Sequence, residues 1–421
     1  MGGIVTIESH EDASLIYRAR DGSIRIAEDF AKGYEKEMPF EVKRPIVTLE
    51  HETLIRQHWA AVARGTSVFQ PAKHITPAKF FYTTFYSKLF ERIPEARALF
   101  RSSMSVQGRS LTGIVSTLAS IIRSPDVVET TQNLALEHAR FGATKDHYTA
   151  VGLTLLETLE YVSGPEWSIQ IKNAYLTTYC FLYYLMLPVI LSTKPSTIDA
   201  SIPGRITIVK NITENAKCLT IEVDFPLRYH PGDMVVVGPK ENDLDTCVPF
   251  PISSVYDANV KSLEICVDEV STDWLYAATP NTIINVYWVH SGVHFEIDTP
   301  ETIYKKLLFI SEGLIGAGFN SMIKGLSLVP DSNPFDIIWM QCDAKLISYF
   351  TPPNCRVLYS STLTIEFLES IADLTQRHVY IGGSEVFITN SFALLHQMGL
   401  EDLNTHSYTL DIARTSINIQ I

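Results

Sequence analysis

The chain has no long basic run, no closely spaced cysteines and no apolar stretch long enough to span a bilayer. Lys and Arg number 34 against 47 Asp and Glu, a formal net charge of −13 over 421 residues. That balance argues against nucleic acid as a partner and offers no patch for an anionic membrane surface. The 6 cysteines (Cys180, Cys218, Cys247, Cys266, Cys342, Cys355) are scattered without CxxC spacing. Neither a zinc site nor a disulfide framework is expected, and a reducing, cytoplasmic setting fits. The longest apolar run, 179–191, holds 13 residues and contains Pro188. It reads as a buried helix end, so no integral membrane segment is expected. The N-terminus lacks the basic and apolar regions of a secretory signal. Its Met1–Thr6 matches a loose myristoylation pattern around Gly2, of a kind short enough to arise by chance. Repeats and low-complexity tracts are absent too.

What is present is ordinary for a globular protein, 46% hydrophobic and 19% charged, at a length suited to two or three domains. Residues 1–48 are mixed. Short strands are expected at 4–7 and 23–26, a turn at Asp21-Gly22, and a helix or solvated tether at 28–41. From 49 to 191 the period is helical. Helices are predicted over 49–63, 76–90, 94–100, 107–123, 125–141, 145–162 and 166–191, with Thr76 as N-cap before Pro77. Residues 192–203 are a Pro/Ser-rich linker. Strands at 205–209, 218–225, 234–237, 262–267 and 283–289 then predict a small antiparallel β-barrel over 204–301. After 302, strands at 307–310, 335–339, 357–359 and 378–381 alternate with helical patterns, which predicts a parallel α/β sheet.

The stretch Leu134–Phe141 draws attention first. Thr131, Leu134, His138 and Phe141 share one helical face. A histidine on an apolar face has two readings: a core imidazole satisfied by one hydrogen bond, or a metal or haem ligand facing a dry pocket. The helix alone favours the former.

An all-α domain, then a barrel, then a nucleotide-type sheet is the order of the flavohaemoglobins. Phe85–Phe90, Pro94-Glu95, Phe100, Gly108, His138–Phe141 and Tyr148–Leu156 resemble the globin part of that family. The resemblance covers about 60–421 and is more specific before the linker than after it. It implies that His138 is the proximal ligand of haem b through Nε2, that Phe100 wedges against the haem and that Tyr86 is the distal tyrosine. One neutral imidazole leaves a coordination position open for a diatomic ligand. A buried phenol can donate a hydrogen bond to the outer, partly negative atom of that ligand. Ser110 falls where the family has a distal glutamine, and Ile114 keeps the pocket apolar. Tyr148 matches the tyrosine that backs the histidine. The family's supporting glutamate falls near Ile190, and a histidine without that carboxylate is less basic. Glu137 stands where lysine is common, and nothing in the sequence explains it.

The second half departs further. The family's Arg-x-Tyr-Ser flavin motif falls on Val248-Pro249-Phe250-Pro251, with Ser253 close behind. Val248 carries no charge for phosphates, Phe250 could still stack, and Pro251 has no hydroxyl. Met234 replaces a tyrosine. Val270–Leu275, with Ser271, keeps the pattern of the second flavin segment, but Asp268 and Glu269 replace glycines. No aromatic residue covers the flavin near Asp411-Ile412. Losing an arginine–phosphate contact alone removes ~2–3 kcal/mol, so FAD binding is expected to be weak or absent. Gly316, Gly318 and Ser321 stand at the pyrophosphate turn before a helix, with Ser321 in place of a proline and Gly382 in place of the cysteine facing nicotinamide. NAD(P)H binding and a fold kept without its ligand both remain open.

The resemblance implies nitric oxide dioxygenase activity, with O2 and NO as haem ligands and electrons drawn from NAD(P)H through FAD. With the flavin site eroded, two further readings stand: a haem-based sensor of O2, NO or redox state, served by an outside reductase or a signalling partner, and a relic without haem. The persistence of the pocket residues ranks the last of these lowest.

Overall fold

The structure, a computed structural model, describes residues 15–409 apart from 71–75, 196–198, 241–246, 271, 292, 330–334, 344–345, 347–348, 353 and 401–404. The expected strand at 4–7, Gly2, Ser271 and Asp411-Ile412 lie outside the described residues. The chain divides into two compact units, one built from residues up to 99 and 108–198, the other from 100–107 and from 199 onward.

The first unit opens with β1 (Ile16–Arg18), β2 (Ile24–Ile26) and β3 (Ile46–Val47) in a small antiparallel sheet, with α1 (Glu28–Tyr34) between the last two strands. Gly22, at φ +79°, makes the expected turn. Residues Glu28–Tyr34 are helix, as one of the two readings of 28–41 expected. Phe40 is 5% exposed, and the Tyr184 hydroxyl donates to the Lys43 carbonyl.

Helices follow where the periodicity places them: α2 (Leu49–Arg64), α3 (Pro77–Arg92), α4 (Met104–Leu118), α5 (Val127–Arg140), α6 (Lys145–Ser163) and α7 (Ile169–Ser192), with a short 3₁₀ turn over Pro94–Leu99. Local chemistry sets their starts. Thr48 accepts from the His51 amide at 3.2 Å while His51 Nδ1 accepts from the Thr48 amide, a reciprocal box. Thr76 accepts from the Lys79 amide at 3.1 Å, ahead of Pro77 in the first turn.

The apolar run 179–191 sits inside α7, which at 24 residues is long and apolar enough to cross a bilayer by length and composition. The expectation that this run is too short to matter is corrected to that extent. A core helix has the same character, and half of the apolar window of α7 is buried inside the fold.

In the second unit, β4 (Ile202–Asn211), β5 (Ala216–Val223), β6 (Met234–Gly238), β7 (Val248–Pro251), β8 (Ser262–Asp268) and β9 (Ile283–His290) form an antiparallel sheet. Its order is β7-β6-β9-β4-β5-β8. The outer strands meet at one bridge, Ile252 with Ile265, so the sheet curls into a barrel-like form without a continuous closing ladder. Inward side chains such as Ile206, Leu219, Val235, Ile265 and Val286 fill its core.

A parallel sheet of five follows, in the order β12-β11-β10-β13-β14, from β10 (Lys306–Ser311), β11 (Asp336–Gln341), β12 (Arg356–Tyr359), β13 (His378–Gly383) and β14 (Thr405–Thr409). The order reverses between β10 and β13, the place where open α/β sheets form their ligand crevice. A short α8 (Asp273–Tyr276) precedes β9, and α9 (Gly316–Ser327) follows β10.

Candidate functional site

His138 lies on α5, one turn from its end. Phe141 caps the helix, and Gly142 takes φ +94°. The amide of Ala143 bonds the His138 carbonyl and that of Gly142 bonds the Ala139 carbonyl, each at 3.0 Å. This is a Schellman ending, and it fixes the turn that carries the imidazole. Thr131 on the same face is buried, whereas Leu134 and Phe141 are 38% and 45% exposed. The face is thus not a sealed core seam.

Tyr148, on α6, places its hydroxyl 3.2 Å from His138 Nδ1. The rings are 5.8 Å apart. Burial pushes the His138 pKa down against a smaller opposing pull from Glu137. It also pushes the Tyr148 hydroxyl pKa up, with Tyr183 adding to that shift. Both groups are therefore neutral near pH 7. A neutral imidazole with Nδ1 engaged presents Nε2 as a donor lone pair, the form a metal ligand requires. Among the described residues no group of three or more His, Cys, Asp or Glu could hold a bare metal ion. A porphyrin asks less of the protein, since it brings four nitrogens of its own and needs one axial imidazole. The donor set fits haem and does not fit a bare-metal centre.

Tyr86 on α3 is 3% exposed, flanked by Phe85 edge-on at 5.2 Å and Phe90 stacked at 5.9 Å. Burial raises its hydroxyl pKa, which keeps it a proton-bearing donor. On α4 Ser110 is exposed and Ile114 half-buried. Phe100 belongs to the second unit. The structure joins His138 and Tyr148 directly.

The flavin candidates are placed differently from expectation. Phe250 on β7 is 4% exposed and packs inside the barrel core with Val235 and Ile252. Its ring is enclosed by the barrel core. Ser253 is buried, with its amide bonded to the Glu264 carbonyl at 2.8 Å and its hydroxyl beside the thiols of Cys218 and Cys266. Ser271 lies outside the described residues.

At the nucleotide turn, Gly316, Gly318 and Ser321 all lie within α9 and are buried. A Cβ at Gly316 would stand 3.0 Å from Trp339 Cζ2 and 3.2 Å from Ser311 Oγ, so this glycine serves close helix–sheet packing. The Ser321 hydroxyl donates to the Gly318 carbonyl at 2.8 Å and accepts from the Gly232 amide at 3.1 Å. It is committed to the fold and is not a free phosphate contact. The glycine that turns the chain is Gly313, at φ +63°, which the sequence reading passed over. Beside it, the Glu312 carboxylate accepts from the Ser384 amide (3.0 Å) and hydroxyl (2.8 Å). A carboxylate therefore already occupies the N-terminus of the helix Glu385–Gln397, where the dipole would favour an anionic ligand.

No family model matches this sequence. A flavohemoprotein of Rhodopirellula baltica is 23% identical over 390 residues, covering 78% of this chain and 93% of the relative. Leghemoglobin 2 of Sesbania rostrata is 27% identical over 108 residues, 23% of this chain and 73% of the relative. A solved flavohemoglobin of Malassezia yamatoensis covers 86% of this chain and 98% of its own, at 13% identity and TM-score 0.42. The chain's sequence is similar to flavohemoproteins along most of its length.

Proposed function

We propose that this chain binds haem b through His138, that its globin half binds O2 and NO, and that its chemistry is the nitric oxide dioxygenase reaction of its family with an impaired electron supply. The observation that carries the reading is the 3.2 Å pairing of His138 Nδ1 with the Tyr148 hydroxyl, on facing helices of a unit related to globins. Bound haem would supply an open coordination position for a diatomic ligand. The chain's own residues do the rest. His138 gives the axial nitrogen, Tyr148 holds the ring's tautomer, and Tyr86 offers a buried O–H toward the partial negative charge of the ligand. Ile114 and Phe100 are assigned apolar contacts, and Ser110 leaves Tyr86 the main polar group on the distal side.

The supply of electrons is where the chain departs from its relatives. Dioxygenation of NO to nitrate consumes an electron per cycle, so turnover needs a reductant. Val248 brings no charge to a flavin diphosphate, Phe250 is folded into the barrel core, and Ser321 and the Glu385–Gln397 N-terminus are already engaged. These favour a second reading as well, a haem-based sensor or binding protein served by an outside reductase or signalling partner. The 6 free cysteines suit a reducing compartment such as the cytoplasm.

Spectroscopy of the purified full chain tests this. The expected result is a Soret band that disappears in His138→Ala, with far less than one flavin released per chain on denaturation. No Soret band in the wild type overturns haem binding. Stoichiometric flavin with rapid NADH-driven NO consumption overturns the impairment and restores the full family enzyme.

A further inference from the structure

Tyr148 holds His138, and is itself held from behind. The Tyr179 hydroxyl, on α7, donates to the Tyr148 backbone carbonyl at 2.6 Å. Its ring also lies against Gly152 on the same helix. The phenol therefore docks on the backbone of α6 at the turn that carries Tyr148. Glycine at 152 permits this approach. A Cβ there would stand 2.3 Å from Tyr179 Cε1 and 2.8 Å from Phe40 Cζ.

Phe40 closes the notch from the other side. It meets Tyr179 edge-on at 5.6 Å and Tyr183 edge-on at 5.5 Å. The segment that brings it is anchored to the same helix, where Lys145 Nζ reaches Glu37 Oε2 at 2.6 Å. Glu37 and Phe40 thus bracket Tyr148 along α6, one contacting a residue before it and the other a residue after it.

We propose that Tyr179 and Phe40 are positioning residues that set the Tyr148 hydroxyl against His138 Nδ1, so that the segment preceding α2 tunes the basicity of the axial imidazole. The proposal rests on the haem reading above. A hydrogen bond at the far nitrogen of a ligating histidine orients the ring and raises its donor strength. That bond tolerates only a few tenths of an ångström of drift before it weakens. A phenol hydrogen-bonded to the helix backbone, with the Phe40 ring against it, limits that drift.

The test uses the haem-loaded full chain, three single variants and one double: Tyr148→Phe as reference, Tyr179→Phe, which keeps the ring and deletes the hydrogen bond, Phe40→Leu, and Tyr148→Phe with Tyr179→Phe. The readout is the iron–imidazole stretching frequency of the ferrous protein by resonance Raman, with a thermal melt alongside. Tyr148→Phe is expected to lower the frequency. Tyr179→Phe and Phe40→Leu are expected to lower it part of the way, and the Tyr148→Phe/Tyr179→Phe double variant to match Tyr148→Phe alone. Haem-loaded Tyr179→Phe and Phe40→Leu proteins that melt earlier but keep the wild-type frequency overturn the proposal and reduce both residues to packing. A double variant that shifts by the sum of the singles overturns it as well. A wild type that takes up no haem instead overturns the reading beneath it.

Discussion

At the scale of single residues, two side chains carry the proposed chemistry, and each makes a separate prediction. His138→Ala should abolish the Soret band, and imidazole added to the variant should restore part of it by filling the vacated axial position. Tyr148→Phe should retain the fold but weaken haem retention by ~10–100-fold, the usual cost of removing a partner of a ligating histidine; transfer of haem to apomyoglobin measures it. His138 was legible in the sequence because helical spacing put it on an apolar face, but its neighbour on that face could have made it a plain core residue. The family pattern separated the two readings. Tyr179 was not legible. Its partner is a backbone carbonyl on a helix 31 residues earlier, and no side-chain pattern encodes a bond to a main-chain atom. Phe250 misled because an aromatic in a β-strand points to one face or the other, and the register decided for the core.

At the scale of elements, helix endings and close approaches do the positioning. Gly142 takes a left-handed φ at the end of α5, so Gly142→Ala should cost about 1 kcal/mol and loosen the His138 turn, visible as faster haem loss. Gly152→Ala is the harsher change, since the new methyl would meet the Tyr179 ring at 2.3 Å. A loss of ~1–3 kcal/mol is expected from the forced shift, read as a lower melting temperature of the helical signal. Most elements were legible from period and caps, Thr76-Pro77 most clearly. β7 was not, because Pro249 and Pro251 argue against a strand. It survives at the end of the sheet order, paired with β6 through Phe250 and its neighbours. β14 also escaped notice, since Thr405–Thr409 carries no apolar alternation.

At the scale of the whole molecule, acid sensitivity can be located. His58 is buried between Tyr175 (3.1 Å) and Ser163 (2.8 Å), and burial pushes its pKa from 6.5 down to about 4. The folded state resists protonation while the unfolded chain accepts it near 6.5. The stability His58 provides is therefore whole above pH 6.5 and drains away as the pH falls toward 4, by at most roughly 3 kcal/mol. Thermal melts at pH 7 and pH 4.5 should show a wider gap for the wild type than for His58→Gln.

The eight residues from 100 to 107 group with the second unit although helices of the first flank them. Arg101, 4% exposed, donates to the carbonyls of Asp199, Ala200 and Tyr287, and its own carbonyl accepts from the Val289 amide. A gene severed at the Pro/Ser tract would part Arg101 from the Tyr287 carbonyl and the Val289 amide and leave its strip without the unit it packs in. Anyone wishing to study the helical unit in isolation should therefore expect poor yields from the obvious cleavage point. Swapping Arg101 and its strip for a short polar loop would be the way to recover a well-behaved fragment.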